Sequence, residues 1–84
     1  MANRRTKTMA TFRRCAELRM KAGLSLDELM TMVGTRPARS SYERLERGFA
    51  IRANNAFKIA HTINDEFRRR GLEKFDVDKE IKYA

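Results

Sequence analysis

Residues 23–48 read GLSLDELMTMVGTRPARSSYERLERG, and this stretch predicts two short helices joined by a turn. The first helix begins at Ser25, because Ser25 and Glu28 have the spacing of a capping box, in which each side chain accepts a hydrogen bond from the other residue's backbone N–H. Apolar residues then recur at helical spacing, namely Leu26, Leu29, Met30 and Val33. Gly34 follows as the glycine that ends the helix.

The second helix is short and basic. Pro37 fits its first position, where the missing N–H of proline costs nothing, and Gly48 ends it. A later start remains open, because Ser40 and Glu43 also have capping-box spacing. The apolar face consists of Ala38, Tyr42 and Leu45. The residues left for solvent or a partner are Arg36, Arg39, Ser40, Glu43, Arg44 and Arg47.

This stretch resembles the helix-turn-helix of the Cro/C1 (phage repressor, XRE-type) family. The resemblance covers roughly residues 11–66 and rests on Gly-Leu-Ser at 23–25, Leu29, Gly34 and Leu-Glu-Arg-Gly at 45–48. It implies an all-α fold, a compact five-helix lambda-repressor-like DNA-binding domain. The segment between Gly34 and Glu46 is about two residues longer than is usual in the family, which alters the turn or the start of the recognition helix.

The resemblance further implies that the second helix enters the major groove of double-stranded DNA. The base-reading positions of the family fall on Arg39, Ser40 and Arg44, with Glu43 beside them. Arginine can bond O6 and N7 of guanine at once, so Arg39 and Arg44 are the expected base readers. Glu43 either accepts from a cytosine amine or orients a neighbouring arginine. The expected phosphate contacts are Ser25, Arg36, Arg47, Arg52, Arg4 and Arg5.

A structural ion pair between Arg19 and Glu46 is also implied by the resemblance. It would lock the first helix of the domain to the recognition helix, and the alternative is two separately solvated charges. Cys15 lies on the apolar face of the first helix and is expected to be a small buried hydrophobic residue. A reactive role stays open as the alternative, because Arg13 and Arg14 are its neighbours.

The charge of the chain favours a polyanionic partner, either nucleic acid or an acidic membrane surface. The net charge of the 84 residues is +8, and the sequence pI is about 10.4. Residues 1–64 carry 13 Lys/Arg and 5 Asp/Glu, whereas residues 65–84 carry six of each, so the whole excess lies in the first segment. No secretory signal or twenty-residue apolar run is seen, so a cytoplasmic, nucleoid-associated protein without membrane contact is expected.

The chain divides into a basic N-terminal arm at 1–8, a helix-turn-helix domain at 9–71 and a tail at 72–84. The first helix is expected from Met9 or Thr11 to Ala22. A fourth is expected from Ala53 to Ile63, and a short fifth, capped by Asn64-Asp65, from Glu66 to Arg70. The run Arg68-Arg69-Arg70 is either a solvated helix end or a phosphate contact.

The tail alternates polar and apolar residues from Phe75 to Tyr83, which predicts a strand. A lone strand is unstable and must pair with another. Pairing with a second copy of the chain would make a homodimer through the C-terminal region, as in some small Cro-like relatives. The alternative is a helix from Val77 with Ile81 on its inner face.

The leading functional hypothesis is a sequence-specific transcriptional regulator, a dimeric repressor that binds a palindromic operator at a promoter of phage or mobile-element type. The alternative is a protein-interaction module on the same fold, such as an antitoxin-like protein or an antiactivator. An enzyme is not expected, because one His, one Cys and no glycine-rich loop leave no nucleophile–base pair or phosphate cradle. No cofactor or metal is expected, and His61 is expected at the surface or a helix edge.

Overall fold

The computed structural model describes residues 8–84, which form five helices and a three-stranded antiparallel sheet. In chain order the elements are β1 (Met9–Phe12), α1 (Cys15–Lys21), α2 (Leu26–Val33), α3 (Arg39–Glu46), β2 (Ile51–Arg52), α4 (Ala53–Arg69), α5 (Val77–Glu80) and β3 (Ile81–Tyr83). The chain is mostly helical, as predicted. The expectation of an all-α fold is met only in part, because of the sheet.

A strand replaces the N-terminal part of the predicted first helix. In β1 the side chains of Ala10 and Phe12 are buried, and those between them point outward or are half-buried. β1 is the central strand and pairs antiparallel with both β2 and β3. The prediction of a helix from Met9 or Thr11 is therefore wrong. Phe12 lies at helical spacing from Cys15, but its burial comes from a strand that two distant segments hold in place.

The helix-turn-helix stretch contains the predicted capping box. The Ser25 hydroxyl oxygen accepts from the Glu28 backbone N–H at 3.0 Å, and the Ser25 N–H donates to the Glu28 carboxylate at 2.8 Å. Gly34 follows α2 with a φ of 120° and a ψ of −163°, a conformation that essentially only glycine adopts.

The helix α3, which the resemblance predicts to be the recognition helix, begins later than predicted. It starts at Arg39 rather than at Pro37, because Ala38 is extended, with a ψ of 162°, and serves as the N-cap. Pro37, after a cis peptide bond, is buried, and Ala38 is exposed, so Ala38 does not belong to the apolar face. Tyr42 and Leu45 are fully buried as predicted.

The fourth and fifth predicted helices are one continuous helix, α4, of 17 residues. The expected break at Asn64 is wrong, because this side chain is buried and does not cap a helix. Its amide donates to the Phe75 carbonyl and accepts from the Phe75 N–H, both at 2.9 Å. Asn64 therefore anchors the segment after α4, and Gly71, with a φ of 75°, follows the end of that helix.

The C-terminal tail contains both a short helix and a strand, which the sequence analysis treated as alternatives. Val77–Glu80 form the short helix α5, and only Ile81–Tyr83 form a strand, so the prediction of a strand from Phe75 is wrong. β3 pairs with β1 of the same chain, with Phe12 opposite Ile81. The Phe75 ring lies 5.3 Å from that of Phe67, measured between ring centroids.

One cluster of buried apolar side chains includes residues from all eight elements. Val77 and Ile81 belong to this cluster, so the predicted tail at 72–84 is part of the same packed unit as residues 9–71. The helix α4 packs against α2 and β1 and carries much of the core. Within residues 8–84, no helix has both the length and the apolar character needed to cross a bilayer.

Candidate nucleic-acid interface

One face of α3 is buried and the other carries cations. Tyr42 and Leu45 pack into the core and fix the rotation of the helix about its own axis. The polar face that results consists of the exposed residues Arg39, Ser40, Glu43, Arg44 and Arg47. All the residues expected to read bases therefore lie at the surface of one helix, which is the geometry that entry into a major groove requires.

An ion pair holds α3 against α1. The Glu46 carboxylate accepts from Arg19 Nε at 2.7 Å and from Arg19 Nη2 at 3.2 Å, so the contact is bidentate. Arg19 Nη1 also donates to the Leu24 carbonyl at 2.9 Å, at the start of the helix-turn-helix stretch. The two side chains are 14% and 16% exposed, and the hydrogen bond to Glu46 raises the pKa of Arg19. The pair expected from the resemblance is present.

Cys15 lies beside this ion pair, with its Sγ 4.0 Å from the Glu46 carboxylate. The residue is fully buried. Burial, followed by the charge of Glu46, raises the pKa of the Cys15 thiol to about 12. The thiol is thus protonated at neutral pH, which agrees with the buried hydrophobic role and not with the reactive alternative.

Arg39 forms an ion pair with Asp27, a contact that the sequence analysis did not predict. Arg39 is the first residue of α3, and its Nη2 donates to the Asp27 carboxylate in the first turn of α2. Both side chains are exposed, at 48% for Arg39 and 79% for Asp27. The carboxylate therefore sits on the same surface as the expected base readers.

The Arg44 side chain contacts the loop that follows α3. Its guanidinium carbon lies 5.6 Å from the centroid of the Phe49 ring, and its Nη2 is 3.5 Å from the Ala50 carbonyl. The two arginines expected to read bases are thus held in different places, Arg39 against α2 and Arg44 against the loop after α3. Glu43 forms no ion pair with any side chain in residues 8–84, so it does not orient a neighbouring arginine here.

Two of the expected phosphate contacts share one cavity. Arg36 and Arg52 line a depression of about 560 Å³ between the turn before α3 and the start of α4. Asn54 and Asn55 line it as well, although the sequence analysis did not single them out. The first turn of α4 carries no acidic residue, so the groups around the cavity are cationic or neutral. The signal in the sequence was the pair of amides, Asn54 and Asn55, that follows Arg52 and Ala53.

The remaining predicted site residues lie either at the surface or outside the described residues. Ser25 is exposed at the start of α2, and its hydroxyl oxygen is occupied as an acceptor by the capping box, which leaves its O–H free to donate. Arg47 is exposed directly after α3. Arg4 and Arg5 lie outside the described residues. Within residues 8–84, His, Cys, Asp and Glu side chains form no group of three or more that could hold a metal ion.

Two of the three arginines in the run 68–70, at the end of α4, form ion pairs within the chain. Glu66, whose side chain is 1% exposed, accepts from Arg69 Nε at 2.9 Å and from Arg70 Nε at 2.6 Å. His61 is exposed, as expected, and its ring stacks on that of Phe57.

No family model, curated protein or solved structure matches this chain.

Proposed function

We propose that this protein is a sequence-specific DNA-binding transcriptional regulator with a lambda-repressor-like, Cro/C1-type helix-turn-helix. The observation that carries the proposal is the pair α2 and α3, joined by the turn at 34–38, in which α3 presents an exposed basic face while its apolar face is buried. A helix of this kind fits the major groove, where the pattern of hydrogen-bond donors and acceptors differs for each base pair.

In the proposed complex, base reading and positioning are carried out by different residues. Arg39 and Arg44 bond guanine edges, and Ser40 contacts a base or a phosphate. Arg36 and Arg52, at their shared cavity, bind the backbone and set the register of the helix. Ser25 donates to a second phosphate at the start of α2, where free backbone N–H groups favour an anion.

We also propose a homodimer that binds a palindromic operator and represses by covering a promoter. In the part of the chain that the structure describes, the strand order is β2-β1-β3, so β3 is an outer strand beside β1, and we place the contact between the two copies in this C-terminal region. Binding to a palindromic operator requires the α3 helices of two copies related by a two-fold axis to lie about one turn of DNA apart. A promoter of phage or mobile-element type follows from the family resemblance.

The proposal is tested by selecting duplexes from a random pool with the purified protein and measuring their affinity by fluorescence anisotropy. We expect binding to the selected duplex to exceed that to a scrambled duplex by at least about a thousandfold near 150 mM salt. The DNA upstream of the gene for this protein is the first natural candidate. Equal, weak and strongly salt-dependent binding to both duplexes would show only non-specific electrostatic attraction between a basic protein and DNA. That result would favour the protein-interaction module.

Arg44→Ala tests the assignment of a base reader. We expect it to remove about 1–3 kcal/mol of the discrimination between the two duplexes, while binding to the scrambled duplex changes little. Arg68→Ala, an exposed arginine in the electrically neutral part of the chain, is the matched control and should retain the preference. An equal loss of affinity for both duplexes would make Arg44 a phosphate contact instead.

A further inference from the structure

Asp27 is an exposed acidic residue that contacts one of the expected base readers, Arg39. It lies in the first turn of α2 with Glu28, but the Glu28 carboxylate is used by the capping box, whereas that of Asp27 points to α3. Its side chain is 79% exposed and contacts Arg39 across the two helices. The capping box does not use Asp27; an acidic residue in the first turn of α2 interacts favourably with the helix dipole, and this one also contacts Arg39.

The contact with Arg39 has two chemical consequences. A guanidinium carries five N–H donors in a planar fork, so a bond from Nη2 to Asp27 leaves other donors free for a guanine edge and restricts the rotation of the side chain. The carboxylate also places a negative charge beside Arg39, on the surface that would face the DNA. A negative charge there weakens any complex in which the protein is held by the DNA backbone alone.

We propose that Asp27 is a specificity-determining residue of the DNA-binding surface. It holds Arg39 in the orientation that one base accepts, and it repels the phosphates that non-specific binding depends on. The inference rests on the proposed function and adds to it a residue that contacts no base. Because both side chains are well exposed, their ion pair contributes little to folding, and its consequence lies in recognition.

The two effects are separated by two substitutions at this position. Asp27→Asn keeps an acceptor oxygen for Arg39 and removes the charge, so we expect tighter binding to the scrambled duplex and little change with the selected one. Asp27→Ala removes both the acceptor oxygen and the charge, so binding to the selected duplex also weakens. The ratio of the affinity for the selected duplex to that for the scrambled duplex then falls about tenfold. Asp65→Ala, an exposed aspartate on α4, is the matched control for charge.

The role of Arg39 is tested by repeating Asp27→Ala in an Arg39→Ala background, where it should no longer weaken binding to the selected duplex. The inference is overturned if D27A and D65A raise both affinities by the same factor, because Asp27 then acts through net charge alone. If the unmodified protein prefers no duplex at all, the proposed function fails and the inference with it. The two outcomes are distinguishable, because failure of the inference alone still requires that the unmodified protein prefers the selected duplex.

Discussion

Glu66 shows how a single buried carboxylate is accommodated in a small domain. Its side chain is 1% exposed, and burial alone would favour the neutral form. Hydrogen bonds from Arg69 and then Arg70 outweigh that effect and lower the pKa of Glu66 to about 2 from an ordinary value of 4.5. Two of the three arginines in the run 68–70 therefore donate hydrogen bonds to this carboxylate, although both side chains remain partly exposed to solvent.

The lowered pKa makes the stability that Glu66 contributes depend on pH. A carboxylate with a depressed pKa in the folded state stabilises the protein above its ordinary pKa, and this contribution is lost as the pH falls from about 4.5 toward 2. We expect Glu66→Gln to be less stable than the unmodified protein at pH 7, with a smaller difference at pH 3, measured by urea denaturation. Glu73→Gln, at an exposed loop residue, is the control; a difference independent of pH would contradict the assignment.

At the scale of elements, ion pairs and amide bonds decide how the helices are held together. Arg19 and Glu46 join α1 to α3, and Arg19 also reaches the Leu24 carbonyl before α2. Asn64 joins α4 to the segment before α5. These contacts position the recognition helix and the C-terminal strand, each through a polar side chain at a boundary of the core.

Arg19→Met should destabilise the fold by about 2–4 kcal/mol, because it leaves the Glu46 carboxylate largely buried and unpaired. The double variant Arg19→Met with Glu46→Met should recover more than half of that loss, since two apolar side chains replace the pair. Denaturant midpoints measure both, with Arg13→Met, at an exposed arginine, as control. A double variant no more stable than the single one would show that the pair is not coupled.

Asn64→Ala should release the tail from α4. It removes both hydrogen bonds to the Phe75 backbone and leaves these groups unsatisfied, at a cost of about 1–3 kcal/mol. We expect trypsin to cut faster after Lys74 than in the unmodified protein, whereas Asn54→Ala, at an exposed amide of the same helix, leaves the rate unchanged. Equal cleavage rates in N64A and the unmodified protein would mean that packing alone holds the tail.

At the scale of the whole molecule, charge is separated along the chain. The excess of +8 lies within residues 1–64, which include the helix-turn-helix, and residues 65–84 are neutral. If the proposed function holds, positive charge near α3 would attract DNA at long range and make binding sensitive to salt, because each neutralised phosphate releases a counterion. The neutral segment supplies β3 and part of the core instead.

Arg52→Ala should reduce the slope of log affinity against log salt by about one, with a similar loss of affinity for selected and scrambled duplexes. The reason is that Arg52 lines the cavity next to α3 and is expected to neutralise one phosphate. Anisotropy titrations at several salt concentrations measure the slope, with Arg68→Ala as the control from the neutral segment. An unchanged slope would remove Arg52 from the interface.

The parts of the structure that follow from local patterns were predictable. The capping box of Ser25 and Glu28 joins residues three apart, and the buried face of Tyr42 and Leu45 follows helical periodicity. The polar face of α3, which holds the candidate base readers, is exposed for the same reason. Each of these features depends on residues within one or two helical turns of one another.

The sequence by itself thus determined the presence of α2 and α3 and the polar residues that α3 exposes. Only the tertiary structure decided that Met9–Phe12 form a strand, that α4 continues through Asn64, that β3 pairs with β1 and that Arg39 meets Asp27. The physical reason is that these outcomes depend on hydrogen bonds and packing between residues far apart in the chain. Periodicity and capping describe neighbours in sequence, and so they contain no information about such partners.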